Sequence, residues 1–243
     1  MRTASPPPAA PPGPEPSPAW GACAAREPHW PAALAIVATM GLYLALPNKL
    51  TLGPNWLIPA LEAAVLVPLT ITVRHRHPGE SPLVRKVALG LVGLVSLANA
   101  LALQQLVRLL LHPGKGLGLL RVHGSLNGRE LIVSAIMIWL TNVVVFGLWY
   151  WELDRGGPAA RCRLDHREPD FLFPQMTTPE AAPPGWTPSF LDYLYVSFTN
   201  SAAFSPTDTM PLTAWAKGLM LVQSLVSLLT VALVAARAVN ILS

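Results

Sequence analysis

Long apolar runs alternate with short polar ones along this chain. Five of them, Pro31 to Leu46, Trp56 to Val73, Val87 to Leu111, Leu131 to Tyr150 and Ala214 to Leu242, are candidate membrane spans. A hydrocarbon layer of about 30 Å takes roughly 20 apolar residues of helix to cross. Tyr193 to Phe204 is apolar too, but reaches only about half that length. The pattern predicts an all-α, polytopic membrane protein of about five transmembrane helices, with one short helix before the last span.

Composition agrees with this class. Hydrophobic residues make up 52% of the 243 and charged residues 12%, about half the usual share of a soluble domain. The net charge of +4 sits mostly in loops. Acidic lipid headgroups account for it better than nucleic acid, because no basic stripe is interleaved with aromatics. The predicted location is the cell membrane (inner or plasma membrane), with the lipid bilayer as first partner.

Three regions follow from the pattern. Residues 1–28 form a Pro/Ala-rich tail that cannot build a core, read as disordered or polyproline-like. It lacks the layout of a secretory signal. Residues 29–130 hold three spans, and residues 131–243 hold two spans with the short helix and a long loop. Cys23 and Cys162 have no metal-ligand spacing, and His75 and His77 alternate with Arg74 and Arg76 in a charged loop. No metal or cofactor is expected.

Trp30, Trp56, Trp149, Trp151 and Trp215 stand near span ends, where an amphipathic ring prefers the interface. Gly90, Gly93, Ser96 and Ala100, and later Ser224, Ser227 and Ala235, place small residues where helices can approach closely. A few polar groups lie at membrane depth: Glu62, Gln104, Gln105, Arg108 and Asn142. Ionisable groups there are costly and often mark a path or a site. Each also has a plain reading. Arg108 is near enough to a helix end to reach the headgroups, and Glu62 could pair with a basic neighbour on another helix.

The stretch between the last two spans is the most informative. Trp151 to Pro188 is rich in Pro and charge. Ser189, with Asp192 three residues on, then reads as a helix start, and about ten helical residues should follow, ending near Ala203. Pro206 and Pro211 bar continuation. A half-length helix, an irregular polar stretch and a long final span together predict a re-entrant loop, or else a loop lying flat at the interface. Irregular backbone at membrane depth survives only where protein or water satisfies its polar groups.

Leu194-Tyr195-Val196-Ser197, followed by Asp208-Thr209-Met210-Pro211-Leu212-Thr213-Ala214-Trp215-Ala216-Lys217, resembles the pore-loop region of tetrameric potassium channels. Aligned without gaps, Asp208, Pro211, Thr213 and Lys217 take that family's Asp, Pro, Thr and basic positions. The resemblance covers Phe190 to Leu242, with the fourth span as outer helix. It implies a homotetramer passing monovalent cations, with Thr199, Asn200, Ser201, Phe204, Ser205, Thr207 and Asp208 as pore-loop residues. Where those channels have Thr-Val-Gly-Tyr-Gly, however, this chain has Ala203-Phe204-Ser205-Pro206-Thr207. A potassium filter aims successive carbonyls at the ion, using backbone that glycine permits and that proline's fixed φ resists. The same half also resembles an uncharacterised family of bacterial inner-membrane proteins, through Phe146 to Asp154, Gly156-Gly157, Asp170-Phe171, Asp192 to Phe198, Asp208 and Val239-Asn240. That likeness implies no established activity.

Charge and likeness give opposite orientations. An inside N-terminus places Arg74, Arg76, Arg85, Lys86, Arg155, Arg161, Arg163, Arg167 and Lys217 on the cytoplasmic side, as the positive-inside rule requires. Channel architecture would put the 151–211 loop outside. Two functions stay open: a pore-loop cation channel, and a non-conducting scaffold or accessory protein acting through its tail or long loop. An enzyme is not expected, because the spans contain no His, no Cys and no paired carboxylates.

Overall fold

The computed structural model describes residues 30–48, 50–51, 54–61, 63, 82–111, 127–161, 167–183, 186–202 and 208–242. Five helices dominate: α1 (Trp30–Ala45), α2 (Pro82–Leu111), α3 (Gly128–Leu153), α4 (Phe190–Ala202) and α5 (Ala214–Leu242). A two-stranded antiparallel ribbon pairs β1 (Phe171–Leu172) with β2 (Met210–Pro211).

Three of the helices are long and apolar enough to cross a membrane, over Arg85–Leu110, Gly128–Gly156 and Ala214–Ala236. α1 is apolar but has only 16 residues, about 24 Å of helix. Of the predicted second span, Trp56 is in a turn, residues 57–61 and 63 are helical, and Glu62 and residues 64–73 lie outside the described residues. The Pro/Ala-rich tail, Cys23 and Cys162 also lie outside them.

α3 is the axle of the fold. In its most apolar window 61% of residues are buried, against 33% in α2 and 22% in α5. It starts on a capping box. The Asn127 side chain accepts the Glu130 N–H at 2.7 Å, and the Glu130 carboxylate accepts the Asn127 N–H at 3.0 Å. Two apolar clusters then flank it. Toward its C-terminus, Val145, Leu148 and Trp151 pack with Ala32 and Ala35 of α1 and Val92 and Val95 of α2. Toward its N-terminus, Leu131, Ala135 and Ile138 pack with Tyr43 of α1 and with Ala98, Ala102 and Leu106 of α2. So α1 and α2 run in the same direction, both antiparallel to α3. The sequence regions 29–130 and 131–243 therefore share both clusters.

The predicted aromatic belt is only partly present. Trp30 and Trp56 are well exposed, at 67% and 58%. Trp151 instead turns inward against Phe190, with ring centroids 6.0 Å apart. The Trp149 indole donates to Ser96 Oγ at 2.8 Å, so Ser96 joins α2 to α3. Gly93 gives that indole room, whereas nothing approaches Gly90 and Ala100 is exposed. A cross-helix hydrogen bond captured the Trp149 indole, and ring contact with Phe190 of α4 captured that of Trp151.

Candidate functional site

α4 begins beside the end of α3 and runs back along it. Phe190 meets the Trp151 ring, Ser197 Oγ donates to the Val143 carbonyl at 2.6 Å, and Trp139 Nε1 donates to the Ser201 carbonyl at 3.4 Å. Its 13 residues make about 20 Å of helix, so the tip stops near the middle of the 26-residue α3. The predicted start at Ser189 is present with half of the capping arrangement: Asp192 caps the Ser189 N–H, while the Ser189 hydroxyl donates instead of accepting. The Ser189 hydroxyl donates to the Asp192 carboxylate (2.8 Å), which also accepts the Ser189 N–H (2.7 Å). A carboxylate in the first turn suits the positive end of the helix dipole.

The close approach of α4 to α3 depends on Gly147. A Cβ there would lie 3.2 Å from both Cα and Cδ1 of Leu194. Gly147→Ala is therefore expected to push α4 off α3 at a cost of about 1–3 kcal/mol, overpacking outweighing alanine's better helix propensity. The unfolding midpoint of the detergent-solubilised chain checks this, and an unchanged or raised midpoint would show the contact to be slack.

α5 closes the other side of α4 through a buried polar seam. Gln223, 0% exposed, is its centre. Its Oε1 accepts from the Tyr150 hydroxyl in a short bond and from Asn200 Nδ2 at 2.8 Å. Its Nε2 contacts the Ser197 carbonyl (2.9 Å), Ser197 Oγ (2.6 Å) and Ser201 Oγ (2.7 Å). The next residue, Ser224, donates to Asn200 Oδ1 at 3.1 Å, and one turn further along α5 Asn142 Nδ2 donates to Ser227 Oγ at 3.0 Å. Ser224 and Ser227 thus face other helices, as their size predicts, while Ala235 is exposed.

A buried charged clamp lies where α3 ends and α5 begins. Asp154 and Arg155 are both fully buried and 3.6 Å apart. The Asp154 carboxylate also accepts the Tyr193 hydroxyl of α4 at 2.5 Å and the Asp170 N–H at 2.8 Å. Asp170 in turn accepts the Arg155 N–H (3.0 Å) and Trp215 Nε1 at the start of α5 (2.9 Å). Arg161 donates to the Trp151 carbonyl at 2.5 Å and lies 5.0 Å from the Tyr193 ring centroid. The reversal needs left-handed backbone at three consecutive residues, Arg155 (φ 53), Gly156 (φ 90) and Gly157 (φ 100). The two glycines adopt it freely, and the Asp170 bond compensates Arg155, for which it is strained.

Beyond α4, the chain returns to the end from which it entered. β2 pairs with β1, and the Leu212 N–H donates to the Asp170 carbonyl at 2.9 Å. Asp208 is exposed at this end. Phe204, Ser205 and Thr207 lie outside the described residues. Thr199 and Ser201 are buried within the protomer at 4% and 1% exposure. The Thr199 hydroxyl bonds back to the Tyr195 and Val196 carbonyls, both at 3.0 Å. The Asn200 amide faces α5, donating to the Met220 carbonyl at 3.0 Å. Arg108 is exposed in the last turn of α2, at the opposite end, and is not brought to the loop.

Sequence reasoning passed over Gln223, Tyr150, Asp154 and Arg161. Gln223 did carry a signal, being the one side-chain amide of α5 before Asn240. Polar groups at that depth are expected to find partners. Asp154 and Asp170 entered only as parts of a family likeness, and no local spacing announces that they meet across 16 residues. Among the described residues, no group of three or more His, Cys, Asp or Glu could hold a metal ion. Compared with known protein families, curated proteins and solved structures, the chain has no match.

Proposed function

We propose that this chain is a multi-pass protein of the cell membrane whose α3–α4–α5 unit is a pore-loop module, passing monovalent cations through a homotetramer. The observation that carries this reading is the placement of α4, whose tip lies halfway along α3, and of β2, which lies back at the end where α4 begins. A full crossing would leave α5 starting at the other end. A flat surface helix would not lie along α3 with its tip at Trp139. The parallel run of α1 and α2 supports the five-span count.

Electrostatics favour a cation at the tip. The C-terminus of a helix carries roughly half a negative charge, and α4 ends halfway along α3. Leu191, Tyr195 and Phe198 repeat along one face of α4 at 69%, 59% and 49% exposure. Leu221, Leu225 and Leu228 do so on α5, at 62%, 57% and 58%. In the tetramer these apolar stripes meet sister subunits or lipid.

The full chain reconstituted in liposomes is expected to pass potassium or sodium ions above the level of empty vesicles. No flux under any gradient would overturn conduction. The alternative, a non-conducting scaffold or accessory protein, is favoured by one observation: the polar side-chain groups of Thr199, Asn200 and Ser201 are engaged inside the protomer. Flux above background would remove that reading.

A further inference from the structure

We propose that the groove between α1, α2 and α3 is a binding site for an anionic glycerophospholipid, its acyl chain in the groove and its phosphate on Arg85 and Lys86. The groove holds a cavity of about 50 Å³, lined by Ile36 and Thr39 of α1, Ala88, Leu91, Val92 and Val95 of α2, and Val145, Leu148 and Trp151 of α3. Its wall is apolar. The Thr39 hydroxyl is turned back onto the Ile36 carbonyl at 2.7 Å and offers nothing to a polar guest. Such a wall suits a hydrocarbon chain better than any solute that needs hydrogen bonds.

Arg85, Ala88, Val92 and Val95 follow one another at helical spacing, so Arg85 stands on the same stripe of α2, one turn beyond the apolar wall. Its Nη2 rests on the Glu152 carbonyl at 3.3 Å, and its buried Nε has no hydrogen-bond partner among the described residues. Lys86 beside it is exposed. Glu152 is the one anion lining the groove. One cation on the stripe that lines the slot, with a second, exposed one next to it in sequence at the end of a candidate span, matches a phosphate joined to an acyl chain. Arginine supplies the forked donors that phosphate oxygens accept. The site is separate from α4 and α5 and stands whether or not the chain conducts.

The full chain, purified in detergent and stripped of lipid, would be titrated with phosphatidylglycerol or with phosphatidylcholine of the same acyl chains, and bound lipid counted by native mass spectrometry. Phosphatidylglycerol is expected to bind at least about fivefold more tightly, the worth of one cation near an anionic headgroup. Arg85→Gln and Lys86→Gln should each reduce that preference about fivefold. Arg85→Lys should retain most of it, and Ala88→Trp, which fills the groove, should weaken both lipids. Lys86 is exposed, so its variant tests the site even if Arg85→Gln fails to fold. Equal affinity for the two lipids, a preference unmoved by Lys86→Gln, or binding indifferent to Ala88→Trp would each overturn the proposal.

Discussion

Asp154→Ala is expected to destabilise the chain by about 3–5 kcal/mol, the largest loss of any single substitution outside the apolar clusters. Removing one partner of a buried ion pair strands the other charge, and this stranding outweighs the net worth of the pair itself. Here both side chains are fully buried, so solvent does not screen the stranded Arg155. The substitution also leaves the Tyr193 hydroxyl and the Asp170 N–H without the acceptor they share. Asp154→Asn retains an acceptor and loses the countercharge, so it should fall between wild type and alanine. Asp208→Ala, at an exposed position at the same end, should stay within about 0.5 kcal/mol of wild type. Unfolding of the three variants in detergent, followed by circular dichroism, checks the order. If Asp154→Ala and Asp208→Ala unfolded alike, the clamp would contribute nothing to stability.

Gln223→Leu should cost about 3 kcal/mol. Five contacts converge on that amide, from Tyr150, Asn200, Ser197 (twice) and Ser201. Hydrogen bonds between membrane helices average roughly 0.6 kcal/mol each, far less than an unsatisfied group would cost against hydrocarbon, because the separated helices find other partners. Leucine is the informative replacement: it keeps the bulk and raises apolarity, so a loss reports the polar seam rather than a cavity. The same variant should loosen α4 from α5. Hydrogen exchange at residues 197–201 should then rise, while residues 131–138 of α3 stay protected. A stability equal to or above wild type would mean that α4 is held by apolar packing alone.

These two clusters mark the boundary of what the sequence disclosed. Helix positions were legible because apolar runs and their stops are local. The last span was expected over Ala214 to Leu242 and is a helix over those residues. The short helix was expected to end near Ala203 and ends at Ala202. The first candidate span, Pro31 to Leu46, is an apolar helix of only 16 residues, Trp30–Ala45.

The partners of Asp154, Gln223 and Asn142 were not legible, since their hydrogen bonds join residues 16 to 85 positions apart. Side-chain direction also escaped the reading. Thr199 and Ser201 stood out as polar residues near a predicted tip, yet helical phase turns them toward α3 and α5, and turns Leu191, Tyr195 and Phe198 outward. Trp151 is a related case. Its place at a span end predicted an interfacial ring, but the chain reversal at 155–157 folds the loop back over it.

The central claim is that residues 190–211 enter and leave the membrane on one side. Single cysteines placed at Glu180, Asp208 and Arg129, in a chain whose Cys23 and Cys162 are replaced by serine, would be labelled in intact cells with an impermeant thiol reagent. The account predicts that positions 180 and 208 label from the same side and position 129 from the other. Labelling of 180 and 208 from opposite sides would contradict it.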